Sequence, residues 1–153
     1  MVGVSEISGE ITSHLAALGA GTRDRVVFAI LTRNPHFIED EAVTDADGVV
    51  RIDITNVVEG LLLRFRDGAL ERVRTTIRRE GDYFPFPRPA ELITGLDLST
   101  ATREDLGRVL GAPLAETSDD AGSVDEVRHA VDGGILTATF EADELVSVTV
   151  TLG

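Results

Sequence analysis

A chain of 153 residues, 42% hydrophobic and 27% charged, has the length of one domain and enough apolar content to build its own core, which excludes disordered and fibrous architectures. The absence of cysteine excludes a disulfide framework, a thiolate metal site and a cysteine nucleophile, and makes a reducing, cytoplasmic setting the expectation. Its 14 cations, all arginine, face 27 carboxylates for a formal net charge of -13, a field that repels phosphate backbones and favours a basic protein surface as partner, although net acidity also serves solubility.

In chain order, residues 1–20 carry Glu6 and Glu10 and lack a basic start, so they do not read as a signal peptide. No segment approaches the roughly 20 apolar residues that cross a bilayer, so no membrane association is expected. Ile7, Ile11, Leu15 and Leu18 recur at helical spacing and predict an opening helix over 5–18. A second helix over 22–33 carries Val26, Ala29 and Ile30 and ends at Asn34-Pro35. A hairpin is expected around Asp47-Gly48, between 41–44 and 49–54. Strict alternation from Leu61 and the Asp67-Gly68 turn predict a second hairpin, with Leu61, Leu63, Phe65, Leu70 and Val73 facing inward.

Residues 82–90 then hold three prolines and three aromatics in Asp82-Tyr83-Phe84-Pro85-Phe86-Pro87-Arg88-Pro89. Two roles are open to this connector: a ligand for an aromatic groove, or a strap pinned to the core by its rings, which is the expected one. A helix over 102–110 follows, with capping-box spacing at Thr102 and Asp105 and a stop at Gly111 and Pro113. Residues 124–131 read as a strand, and a last hairpin turns at Ala142-Asp143.

The two halves echo each other. A shift of 75 superposes Leu61 on Leu136, Phe65 on Phe140, Leu70 on Leu145 and Val73 on Val148, and a shift of 80 aligns Thr22-Arg23-Asp24 with Thr102-Arg103-Glu104. The expected fold is therefore α+β: one domain over 1–153 made of two related halves, about 20–80 and 95–153. Each half is a helix followed by antiparallel strands, with the helices packed on antiparallel sheet.

Catalytic signatures are missing. His14, His36 and His129 lie on separate segments without a His-x-x-x-His pair, so surface or structural roles are expected for them and no metal or cofactor is implied. Asp45-Ala46-Asp47-Gly48 fails as a calcium loop because the first and twelfth ligand positions are Val43 and Ile54. No Gly-x-Ser-x-Gly elbow or phosphate-binding glycine loop occurs.

Charge is polarised instead: 60–90 holds seven arginines against four acids, whereas 104–153 holds two against eleven. Alternation places Arg64, Arg66, Arg72 and Arg74 on one outer face, where either intrachain acids or a partner must answer them, and intrachain pairing is the expectation. The acids gather in two clusters after the helix of each half: Glu39, Asp40, Glu41, Asp45 and Asp47, then Glu116, Asp119, Asp120, Asp125 and Glu126. Read as loops, these ten are the candidate partner-binding residues, suited to occluding a basic active site; the alternative is hydrated surface.

The stretch Phe86-Pro87-Arg88-Pro89, Leu92-Ile93-Thr94-Gly95-Leu96, Thr102-Arg103-Glu104-Asp105-Leu106 and Leu110-Gly111-Ala112-Pro113, with Leu136, Phe140 and Leu145-Val146-Ser147-Val148, resembles small bacterial immunity proteins of polymorphic toxin systems, especially those of actinobacteria. Its helix, Gly-x-Pro and sheet order is also similar to BamE-like outer-membrane lipoproteins, which need a lipidated cysteine that this chain lacks. The resemblance spans roughly 84–152 and implies a non-enzymatic antitoxin that neutralises a secreted toxin with a basic toxic domain. The second functional expectation is a structural or chaperone-like interaction module of a secretion or envelope system.

Overall fold

The computed structural model describes residues 6–118, 122 and 124–153. Among these, the helices are α1 (Ile11–Ala17), α2 (Arg25–Arg33) and α3 (Arg103–Leu110). The strands are β1 (Ile38–Glu39), β2 (Val43–Thr44), β3 (Val50–Asn56), β4 (Leu61–Arg66), β5 (Ala69–Thr76), β6 (Ala115–Ser118), β7 (Val124–Val131), β8 (Gly134–Glu141) and β9 (Glu144–Thr151). They form one antiparallel sheet in the order β1-β3-β4-β5-β9-β8-β7-β6, with β2 also on β3. The fold is α+β, with the helices packed on the sheet.

Local chemistry sets each helix start. Thr102 and Asp105 form the expected capping box on α3, satisfying two backbone donors that a helix leaves open. On α2 the cap is Asp24, whose carboxylate accepts from the Val26 amide at 3.1 Å, so the helix begins three residues later than its periodicity predicts. α1 is shorter still. Gly9 at φ +109° breaks it, and a Cβ there would meet the Leu92 carbonyl oxygen at 2.5 Å. The chain at this point pairs with a distant segment, through Ile11 N–H to Leu92 C=O at 2.9 Å and Thr94 N–H to Ser8 C=O at 2.9 Å. Ile7, inside the expected helix, therefore packs against the core from outside α1.

The repeat is written into the strand register. β4 pairs with β5 through Leu61–Thr75, Leu63–Val73 and Phe65–Leu70; adding 75 to each number gives Leu136–Val150, Ala138–Val148 and Phe140–Leu145, which pair β8 with β9. Both hairpins even bulge at the same place, between Arg64 and Phe65 and between Thr139 and Phe140. Where the halves meet, Val73 pairs with Val150, Thr75 with Val148, and Arg74 with Thr149, its own equivalent. A pseudo-two-fold axis therefore passes between Arg74 and Thr149. Phe65 and Phe140 occupy equivalent, fully buried positions.

Outside the hairpins the equivalence continues. Registers relate β3 to β7 so that Asn56 corresponds to His129, and both are buried. Each meets the C-cap of its own helix. Asn56 donates to the Asn34 carbonyl at 3.2 Å, and His129 lies against the Gly111 backbone. Among the described residues neither ring nitrogen of His129 has a partner at full hydrogen-bond geometry, the Gly111 backbone being its nearest polar contact.

One face of the sheet holds the core with the helices. Leu92, Ile93, Leu96, Leu98 and Ala101, in an irregular strap between the halves, are buried in it. Of the aromatic linker's rings Phe86 is buried there and Tyr83 partly so, whereas Phe84 is half exposed beneath the Arg79 guanidinium. Gly60, at φ +70°, lets the linker approach, because a Cβ there would stand 2.3 Å from the Phe84 carbonyl oxygen.

Candidate interaction edge

Of the eight acidic candidates among the described residues, Asp40, Glu41, Asp45 and Asp47 lie in loops, as expected, and four lie in strands. Glu39 ends β1, Glu116 lies in β6, and Asp125 and Glu126 open β7. The register makes Glu39 and Glu116 equivalent: Glu39 faces Ile54 of β3, and Glu116 faces Val127 of β7. The repeat thus places the clusters at related positions, but on opposite edges of the sheet. Seven steps of about 4.8 Å separate β1 from β6, roughly 34 Å along the sheet. One compact basic site cannot be covered by both clusters of a single molecule.

Within each cluster the carboxylates differ in what they do. Asp45 closes the β2–β3 turn by accepting from the amides of Asp47 at 2.9 Å and Val49 at 3.0 Å. Asp125 is held by Arg103 and Ser118. Glu39, Asp40, Glu41, Asp47, Glu116 and Glu126 are exposed. Asp119 and Asp120 lie outside the described residues.

What distinguishes the β1 edge is the extent of apolar surface beside the charge; the β6 edge exposes Leu114, at 44%. Ile38 is 66% exposed, Val43 64%, Val58 54% and Phe28 47%. On β6 the residue equivalent to Ile38 is Ala115. Two grooves flank β1. One of about 500 Å³, beneath α2, is lined by Phe28, Leu31, Phe37, Ile52 and Ile54, with Glu39 and Arg23 at its rim. The other, about 360 Å³ on the opposite face, is formed by His36, Phe37, Ile38, Thr55, Val57 and Val58. A charged depression of about 330 Å³ continues from it between Asp40, Glu41, Val43, Arg51, Asp53 and Arg64.

The arginine face is mostly answered from within, as expected. Arg64 grips Asp53 with two bonds of 2.9 and 3.0 Å, Arg74 meets Glu80 at 2.6 Å, and Arg66 reaches Glu71 at 4.0 Å. Arg72 differs. It faces Arg64 directly across the ladder, and its buried Nε has no hydrogen-bond partner among the described residues.

A polar cluster that the sequence gives no sign of joins α1, α2, the β3–β4 turn and the linker. The Glu10 carboxylate, with its side chain 7% exposed, accepts from Arg88 at 3.0 Å and pairs with Arg33. Arg88 also donates to Asn34 Oδ1 at 2.6 Å and stacks on Phe86. Glu59 accepts from Asn56 at 3.2 Å and meets His36 at 2.9 Å. Beside the cluster, His14 is fully buried, and burial lowers its pKa from 6.5 to about 4 against the opposing pull of Glu10. Burial likewise lowers the pKa of His129. The three histidines lie apart, and the described residues contain no group of three or more His, Cys, Asp or Glu side chains able to hold a metal ion.

No family model matches the chain, and no curated protein matches it. The fold is similar to that in the crystal structure of a DUF4309 family protein, YjgB, from Bacillus subtilis subsp. subtilis str. 168, at 9% identity and a TM-score of 0.47, covering 95% of this chain and 94% of that one. Within the described residues no helix is long and apolar enough to cross a membrane.

Proposed function

We propose that this protein is a non-enzymatic binding module for a basic protein partner, acting as an immunity protein that neutralises a toxin in the cytoplasm. The observation that carries this reading is the clustering of several exposed apolar side chains, Phe28, Ile38, Val43 and Val58, with exposed carboxylates at one edge of the sheet, where the pseudo-symmetric edge exposes Leu114 beside Glu116. Large apolar groups bordered by charge are the composition of a recognition surface, since burial supplies affinity and the charge rim selects and steers the partner. The net charge of -13 adds a long-range field that accelerates encounter with a cationic domain. The resemblance over 84–152 supports the immunity form of the reading.

Co-expression provides the test. A toxic basic domain encoded beside this chain arrests growth when produced alone, and co-production of the chain restores growth. The variant Asp40→Asn with Glu41→Gln then restores it less well at equal protein level. Full rescue by the variant removes the acidic edge from the reading, and absence of any rescue by the unmutated chain favours the accessory module of a secretion or envelope system.

A further inference from the structure

We infer that the partner adds an extended strand to β1, with alternating apolar and basic side chains; this rests on the basic-partner reading above and specifies its contact. Three features meet at β1. The first is an open backbone edge. Asp40 N–H donates to the Asp53 carbonyl at 2.8 Å, which fixes the phase of the antiparallel ladder. One residue earlier, the N–H and C=O of Glu39 therefore point away from β3, where a strand added to the sheet pairs with them.

The second feature is a groove on each face of that edge. Alternate side chains of an added strand project to opposite faces. Those on the helix side enter the apolar groove of Phe28, Leu31 and Phe37. Those on the other side cross Ile38 and Val58 toward Asp40 and Glu41. Lysine or arginine suits the second set, because its aliphatic stem covers the apolar residues while its charged head reaches the carboxylates. Aliphatic or aromatic residues suit the first.

Third, the acids select among strands. Glu39, Asp40 and Glu41 repel the same edge of a second copy and attract a cationic segment. Self-association through this edge is thereby disfavoured. β1 spans only two residues, so the strand it accepts is short, and the two grooves supply register that so brief a ladder lacks.

The experiment uses the full chain, labelled with nitrogen-15, and an eight-residue peptide of alternating valine and arginine. Titration is expected to shift amides within 36–44 and 54–58 and to slow exchange of the Glu39 amide. N-methylation of the peptide residues whose N–H groups face β1 is expected to weaken binding at least tenfold, while methylation of the intervening residues leaves it within twofold. Phe28→Ser, at an exposed position, and Asp40→Asn with Glu41→Gln are each expected to weaken binding at least fivefold with an unchanged thermal melt. Equal effects of the two methylation patterns, or shifts on β6 or around Arg72, overturn strand addition while leaving the basic-partner reading standing. Failure of the peptide to bind at any accessible concentration, together with failure of scrambled arginine-rich peptides, overturns both.

Discussion

Ala142 and Asp143 occupy the two central positions of the β8–β9 turn with φ of 50° and 64°. That geometry matches the twist of a hairpin but disfavours side chains with a Cβ, at about 1 to 2 kcal/mol per residue for the left-handed conformation. The equivalent β4–β5 turn uses Asp67 and Gly68. Replacing Ala142-Asp143 with Asn-Gly is therefore expected to stabilise the protein by about 1 kcal/mol, a rise of about 2 to 4 °C in Tm for a chain of this size. A melt that falls or stays level contradicts the strain. His14 makes the opposite contribution in acid. Its folded pKa of about 4 lies below the unfolded 6.5, so the unfolded chain binds the proton first. The resulting stability is fully present above pH 6.5 and is lost as pH falls toward 4, by roughly 3 kcal/mol in total, and His129 adds to it in the same direction. Urea unfolding of the parent and of His14→Gln at pH 7, 5.5 and 4.5 is expected to show the smaller pH dependence in the variant. Parallel curves would assign the acid sensitivity elsewhere.

Among the elements, α3 shows how a short sequence signal becomes structure. Thr102 and Asp105 are legible as a capping box and form one, and the Asp105 carboxyl is held below its ordinary range chiefly by the Thr102 amide. Thr102→Ala is expected to cost about 1 kcal/mol, measured by denaturant unfolding. The hairpins were legible for the same reason: alternation and turn chemistry are local. α1 was legible only in part, because Gly9 and the strap at 91–94 decide its start through contacts more than 80 residues apart. The Glu10–Arg88 cluster has the same origin, joining residues separated by 78 positions. No window of sequence contains both. Gly60 ties the same linker to the β3–β4 turn, and Gly60→Ala is expected to destabilise the fold by several kcal/mol, since both the positive φ and the 2.3 Å approach to backbone oppose a Cβ. A loss within 0.5 kcal/mol would contradict the packing of the linker.

Across the whole molecule, the repeat in the sequence told that the halves are related, but not how they join. Apolar matches at a shift of 75 reveal equivalent strands; the pairing of Arg74 with its own equivalent Thr149, which sets the pseudo-two-fold axis, depends on which edges meet. The same limit applied to the acids. Their recurrence after each helix was readable, whereas their separation to opposite edges follows from that join. The apolar surface at β1 was hidden because Ile38, Val43 and Val58 read as ordinary strand and turn residues until their exposure is known. Under the proposed function, charge on this edge, and not charge in general, drives partner capture. The most direct test is the association rate of a basic partner domain, measured for the parent and for Asp40→Asn with Glu41→Gln from 0.1 to 1 M salt, over which the Debye length shrinks from about 10 Å to about 3 Å. The parent rate is expected to fall steeply with salt, and the variant rate to be lower at 0.1 M with a flatter slope, while both melt within about 0.5 kcal/mol of each other in stability. Identical rates and slopes for the two proteins would contradict it.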